Sequence, residues 1–294
     1  MISIIVSTYK PENFNTFSQN IEQTIGVEYE IIAIDNHRTM SLCEAYNKGI
    51  ALAKYSYLCF SHDDIKINTY GWGNIIINQF EKNKGAGIIG VAGEGYKPWV
   101  PTGWFFSFIS QSRRINITQS SPKTGKFNKV YSNPLKKELD NVIVIDGCWF
   151  CTTKEVTNKF CFDTDTFKGY HCYDIDFSLQ VSREYEILIS YNIDIDHYSY
   201  GNYSKEWIRE TFKFHNKWEK VLPLSFKPIT KHEIAENEFN AFCYILDETC
   251  KNNTHTWNVL KILNSVKLLQ LTGVRKWLTL YWYTCSAILS NLFR

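Results

Sequence analysis

Tyr57-Leu58-Cys59-Phe60-Ser61-His62-Asp63-Asp64 decides how this chain is read. An apolar run of strand character delivers an imidazole and two adjacent carboxylates to its C-terminal end. Ionised carboxylates are rarely buried unpaired, so these side chains belong at an edge and not in a core. In open α/β sheets, ligands gather just outside the carboxyl ends of the strands. Oxygen ligands there suit a hard divalent cation, which in turn suits a phosphate. The plainer alternative is a solvated strand-to-helix turn, with Asp63 or Asp64 capping the next helix.

The flanking sequence supports the edge. Ile2-Ser3-Ile4-Ile5-Val6-Ser7-Thr8-Tyr9 is β-branched and predicts a central parallel strand. A second run, Tyr29-Glu30-Ile31-Ile32-Ala33-Ile34, ends in Asp35-Asn36. Between Leu42 and Lys54, Leu42, Ala45, Ile50 and Ala53 recur at helical spacings. Strands alternating with helices predict βαβ units with right-handed crossovers, and so a doubly wound, mostly parallel α/β sheet flanked by helices. The polar strand ends Thr8-Tyr9, Asp35-Asn36 and Asp63-Asp64 then share one edge, where a nucleotide belongs.

Composition fits a soluble enzyme. The 294 residues allow one large domain, or one domain with an extension. A formal net charge of +2 and a pI near 8.0, with no long basic run, give no nucleic-acid signal. Nine cysteines without framework spacing, and no signal peptide, point to a reducing cytosol. Cys148 and Cys151 form a C-x-x-C, but Cys161 and Cys172 do not supply a matching second pair for zinc. Buried free thiols are the expectation. There is no internal repeat, and no run approaches the roughly 18 to 20 apolar residues that span a bilayer.

From about 95 to 140 the character changes. Gly95, Pro98, Pro101, Gly103, Pro122, Gly125 and Pro134 punctuate a polar stretch that reads as a long loop region. Trp99, Trp104, Phe105, Phe106 and Phe108 are too apolar for plain disorder. They either pack beneath the loop or form an aromatic platform, and packing is the favoured reading.

Asn141-Val142-Ile143-Val144-Ile145 predicts a strand ending in Asp146-Gly147, with Trp149-Phe150 beyond. Asp174 opens a predicted helix running to about Tyr185, with N-capping as its structural alternative. Residues two apart do not share a helix face, so Asp174 and Asp176 cannot both enter one cleft. Glu186-Ile187-Leu188-Ile189 and Ile193-Asp194-Ile195-Asp196-His197 predict two more strands that complete the sheet.

Taken in order, these pieces resemble a GT-A-fold glycosyltransferase of the family 2 type, in the subgroup whose Asp-x-Asp strand end reads His-x-Asp. Ser7-Thr8-Tyr9 resembles the nucleotide-binding start and Ile34-Asp35-Asn36 the base-binding turn. Ala45-Tyr46-Asn47-Lys48-Gly49-Ile50 resembles the Asn-x-Gly helix, and Ser61-His62-Asp63-Asp64 sits at the metal motif. Asp146-Gly147 resembles the acceptor-side motif. Tyr173-Asp174-Ile175-Asp176, His197 and Lys217-Trp218 resemble the Glu-Asp helix, the late metal histidine and a terminal Lys-Trp. Two departures stand out: Ser61 replaces the first acid of the metal motif, and Tyr173 replaces the Glu of the Glu-Asp pair.

The resemblance implies a metal-dependent inverting transfer from a nucleoside-diphosphate sugar, UDP-linked, to a hydroxyl of a glycan, polysaccharide or lipid-linked acceptor. It implies Asp174 as the base and Asp64 and His197 as ligands of Mn²⁺ or Mg²⁺. Thr8, Tyr9, Asp35, Asn36, Asn47 and Asp63 fall to the nucleotide-sugar, and Asp146, Gly147 and Trp149 to the acceptor side. It covers residues 1–225. Two readings from other classes stay open: a nucleotidyltransferase, and a catalytically silent nucleotide-sugar-binding module.

Residues 226–294 predict an amphipathic helical extension. Val259, Leu260, Ile262, Leu263, Val266, Leu268, Leu269 and Leu271 form an apolar face studded with Lys261, Lys267, Arg275 and Lys276. Leu278 to Tyr283, then Ile288-Leu289, continue it with aromatic character. Packing on the N-terminal domain, a homodimer interface, and peripheral attachment at the inner membrane face compete for this segment.

Overall fold

The opening strand, Ile2–Thr8, is apolar because both of its faces are covered. Ile2, Ile4 and Val6 belong to one buried cluster and Ile5 to another, as a period of two requires across a sheet with helices on each side. The computed structural model describes residues 1–107, 109, 112–120, 125–199, 201 and 203–292, with side chains to 288. Phe108, Pro122 and the Leu289 side chain lie outside the described residues.

The main sheet has seven strands. From one edge to the other they are Leu139–Val142, Glu186–Ser190, Ala86–Gly90, Trp149–Thr153, Tyr57–Ser61, Ile2–Thr8 and Tyr29–Asp35. Tyr29–Asp35, Ile2–Thr8 and Tyr57–Ser61 pair in parallel, as do Ala86–Gly90 and Glu186–Ser190. Trp149–Thr153 runs against both of its neighbours and Leu139–Val142 against Glu186–Ser190. This is the expected α/β class, a mostly parallel sheet flanked by helices.

Two local devices bring helix Leu42–Leu52 onto this sheet. Ser41 and Glu44 form a reciprocal capping box at the start of helix Leu42–Leu52, satisfying otherwise orphan N–H groups. Gly49 then lets that helix lie close, since a Cβ there would meet Ile5 Cγ2 at 2.3 Å.

A second sheet of six strands changes three expectations. The stretch from 95 to 140 is not one loop: Arg113–Ser120 and Phe127–Ser132 pair antiparallel within this sheet. Asn141–Ile145 is not one strand either, because Leu139–Val142 joins the main sheet while Val144–Ile145 pairs with Ala92–Glu94 in the second. Ile195–His197 also leaves the main sheet and lies between Arg113–Ser120 and Ile65–Ile67. The chain enters Ile65–Ile67 directly after Asp64, so neither Asp63 nor Asp64 caps a helix; the next helix starts at Trp72. Cys148 and Cys151 are buried free thiols, as expected.

The C-terminal helices pack onto the rest. Helix Lys231–Lys251, opened by a Thr230/Glu233 capping box, inserts the fully buried Glu238. Glu238 accepts from the Tyr96 hydroxyl at 2.7 Å and from the Trp99 and Val100 amides at 2.9 Å each. Helices Thr256–Leu263, Val266–Thr272 and Val274–Leu292 follow. Their buried Val259, Leu263, Leu268 and Leu280 join the apolar cluster that contains Phe150 and Trp207. Among the described residues no helix is long and apolar enough to cross a membrane.

Candidate active site

The strand Tyr57–Ser61 hands over to a bend at Asp63 and Asp64. Across that bend His62 and Asp64 face each other, Nδ1 of one 3.7 Å from Oδ1 of the other. The third member arrives through the second sheet, where His197 pairs opposite Ile65. His62, Asp64 and His197 each offer a ligand atom, all within 4.8 Å of one another. His62 was not among the expected ligands.

Both imidazoles are held from behind. The Tyr173 hydroxyl donates to the Gly147 carbonyl at 3.1 Å and lies 3.0 Å from His62 Nε2. Having one proton, already given to Gly147, it accepts from Nε2–H, which leaves the Nδ1 lone pair 3.7 Å from Asp64 Oδ1. His197 Nδ1 faces Gln119 Oε1 at 3.3 Å, while the Gln119 amide group donates to the Ser199 carbonyl. In the neutral ring, Nε2 is then the lone-pair nitrogen, 3.0 Å from the Ser199 hydroxyl and 3.6 Å from the same Asp64 oxygen.

Asp64 Oδ1 is buried and has no hydrogen-bond partner. Two imidazole nitrogens within 3.7 Å of a carboxylate oxygen that lacks a hydrogen bond of its own call for a proton or a cation between them. Burial pushes the Asp64 carboxyl up, but the neighbouring histidines outweigh it and hold it well below the usual carboxylate range. Burial, with the charge of His197, keeps His62 low, whereas the attraction of Asp64 raises His197 against its burial. This donor set fits a divalent cation, and His62, Asp64 and His197 could hold one.

A cleft of about 970 Å³ opens over this cluster and is also lined by Tyr9, Asn36, Asp63, Asp146 and Asp174. Asp63 is tied to the opening strand by the Thr8 hydroxyl at 2.6 Å. Asn36 accepts from the Thr39 and Met40 amides and so shapes its own loop. Asp174, at the start of helix Tyr173–Val181, accepts from the Gly147 amide at 2.9 Å. Burial, reinforced by the charge of Asp146, pushes its carboxyl up to about 7.

Gly147 is the hinge of this corner. Its N–H holds Asp174, its C=O holds Tyr173, and a Cβ there would meet the Tyr173 hydroxyl at 2.1 Å. Asp176 goes elsewhere, as helix phase requires. It is buried and accepts from Trp218 Nε1 at 2.7 Å, with Lys217 Nζ and Gln180 beside it. Lys217-Trp218 is thereby explained as the partner pair of a structural carboxylate.

Five of the expected site residues do not line the cleft. Thr8 acts through Asp63, and Gly147 through its backbone. Asp35 is exposed and pairs with His37 at 3.2 Å. Asn47 is committed to the backbone of Phe162, donating to its carbonyl at 2.8 Å and accepting from its amide at 3.1 Å. Trp149 is fully buried against Trp72, 5.6 Å between ring centres, so it is core and not acceptor surface. Conversely, the sequence reading did not place Arg38, Tyr170 and His171 in the cleft, and all three line it. Its far end is aromatic: Trp104, Phe105, Tyr203, Trp207 and Tyr244. Tyr244 comes from helix Lys231–Lys251, so the C-terminal segment forms part of the cleft wall.

The sequence model of the glycosyltransferase like family matches residues 3–220. The chain belongs to this family. The match spans both sheets and every residue of the His62, Asp64, His197, Asp174 constellation. The comparison with curated proteins finds no match. Among solved structures, the crystal structure of GalNAc-T7 with UDP, GalNAc and Mn²⁺ aligns with a TM-score of 0.48 at 10% identity. That alignment covers 67% of this chain and 43% of the other, so this chain spans less than half the length of that structure. A197 from STIV aligns with a TM-score of 0.39 at 12% identity, covering 68% of this chain and 86% of that one.

Proposed function

We propose that this glycosyltransferase is metal-dependent and inverting, moving a sugar from a UDP-linked donor to a hydroxyl of a glycan, polysaccharide or lipid-linked acceptor. The observation that carries the reading is that His62, Asp64 and His197 line the same cleft as Asp174. Bound Mn²⁺ or Mg²⁺ would offset the charge that grows on the leaving diphosphate. Asp64 and the two imidazoles would hold the ion, and nitrogen ligands favour Mn²⁺ over Mg²⁺.

The remaining roles follow from position. Asp63, fixed by Thr8, accepts from ribose hydroxyls, and Tyr9 and Asn36 flank the base. Asp174 takes the proton from the attacking acceptor hydroxyl; with its carboxyl pushed up to about 7, it is basic enough to receive that proton at neutral pH. A single base on the acceptor side implies one in-line displacement, and so inversion at the anomeric carbon. The aromatic far end of the cleft suits the apolar faces of an acceptor sugar.

The test is hydrolysis of a panel of UDP-, GDP- and dTDP-sugars with Mn²⁺ or with EDTA. The expected result is metal-dependent release of nucleoside diphosphate, greatest for a UDP-sugar. Formation of nucleoside triphosphate and sugar 1-phosphate, only when pyrophosphate is added, would make the protein a nucleotidyltransferase, and absence of turnover across the panel would make it a silent binding module. Metal-independent turnover would overturn the role given to His62, Asp64 and His197.

A further inference from the structure

Helix Val274–Leu292 turns an apolar stripe outward. Val274, Leu278 and Trp282 recur every four residues, and Trp282 is 75% exposed while Leu280 and Thr284 on the opposite face are buried. An exposed tryptophan above an exposed leucine has no role in folding the chain, since burial is what makes such residues stabilising. The neighbouring helix Thr256–Leu263 adds a second exposed tryptophan, Trp257.

The charge carried by this segment itself has one sign, and the acids that meet its last helix, Glu236 on Lys276 and Asp247 on Tyr283, come from the helix before it. Residues 252–294 contain Lys261, Lys267, Arg275, Lys276 and Arg294 and not one Asp or Glu. The helix just before them, Lys231–Lys251, carries Glu233, Glu236, Glu238, Asp247 and Glu248. Lys261 and Arg275 are exposed, and Arg275 lies one turn before Leu278 and two before Trp282. Tryptophan at the water boundary with lysine and arginine alongside is the composition that binds anionic headgroups. A second copy of the chain fits less well, because a two-fold contact through this face would set cation against cation.

We propose that the outer face of helix Val274–Leu292, with Lys261 and Trp257 beside it, is a docking surface for an anionic lipid bilayer. The helix lies in the plane of the interface, because no described helix is long and apolar enough to cross it. Leu278 and Trp282 enter the headgroup boundary, and Lys261 and Arg275 meet lipid phosphates. The surface is independent of the reaction in the cleft, so it stands whether or not the donor and metal assignments hold.

The test uses the full chain and vesicles of phosphatidylcholine alone or mixed equally with phosphatidylglycerol. Co-sedimentation is expected with the anionic vesicles only, and it should fall at high salt. Lys261→Gln with Arg275→Gln should weaken binding roughly tenfold or more. Leu278→Ser with Trp282→Ser should weaken it at least as much, with circular dichroism and nucleotide-sugar hydrolysis in solution unchanged because these positions are exposed and do not line the cleft. Equal binding to neutral vesicles, absence of binding to anionic ones, or binding that ignores both double variants would overturn the proposal. So would a dimer in lipid-free light scattering that dissociates in the Leu278→Ser, Trp282→Ser variant, which would assign the face to a second copy.

Discussion

Tyr173 and His62 are joined through a single proton: the Tyr173 hydroxyl, 3.0 Å from His62 Nε2, is oriented by its own bond to Gly147. The residue that replaces the acid of a Glu-Asp pair is therefore a support for an imidazole of the donor set. Tyr173→Phe keeps the ring over Gly147 and removes only this support. The expected outcome is Mn²⁺ affinity, measured by calorimetry with UDP, weaker by roughly tenfold to a hundredfold, the range typical of groups behind a metal ligand. Unchanged affinity would mean that His62 does not contribute a ligand.

Asp64→Ala removes the one carboxylate on which both histidines converge. Metal-dependent UDP binding should disappear while the thermal transition is retained, since Asp64 makes no hydrogen bond through Oδ1 to the rest of the fold. His197→Ala and His62→Ala should each weaken the ion without abolishing it, because water can occupy one ligand position. Calorimetry with UDP and Mn²⁺ reads all three.

Asp174→Asn cannot accept a proton and should slow transfer by roughly a hundredfold or more, with donor affinity nearly unchanged. In the wild type the rate should climb with pH through about 7, because the base works only when deprotonated and burial, with Asp146, holds its proton there. Asp146→Asn removes a negative neighbour, so the acid limb should move to lower pH. The same shift has a stability sign: the folded state binds this proton more tightly than the unfolded chain, so this contribution is fully present below the ordinary aspartate range and is lost as pH rises through about 7. A rate–pH profile for each variant checks the assignment.

Asp176→Asn should act on stability and not on transfer. It weakens a buried cluster with Lys217, Trp218 and Gln180, and should lower unfolding free energy by about 1–3 kcal/mol. Denaturant melts read the loss, and kcat should change far less than in Asp174→Asn.

Glu238→Gln tests how the C-terminal helices are fastened. One carboxylate accepts from Tyr96 and from two consecutive backbone amides, and an amide side chain would turn a donor toward at least one buried donor. A loss of about 1–3 kcal/mol is expected. Because Tyr244 of the same helix lines the cleft, the KM for acceptor should rise before the KM for donor does.

Much of this was local and therefore written in the sequence. The β-branched run Ile2 to Val6, buried in alternation on two faces, fixed an interior strand, one place in from the sheet edge, and Ser41 with Glu44 fixed a helix start. The two-residue spacing of Asp174 and Asp176 put them on different sides of a helix. Periodicity reports such relations because they depend on backbone geometry within a few residues. What periodicity could not say is which distant segment would cover each face. His197 reached Asp64 only because Ile195–His197 pairs antiparallel with Ile65–Ile67 in a second sheet. The same sheet drew in Arg113–Ser120, in a stretch whose glycines and prolines read as loop. Trp149 looked like surface beside Asp146-Gly147, yet Trp72, nearly eighty residues earlier, buried it. Those outcomes were decided by long-range register, in which hydrogen bonds between strands far apart in sequence determine which side chains meet and which are sealed from water.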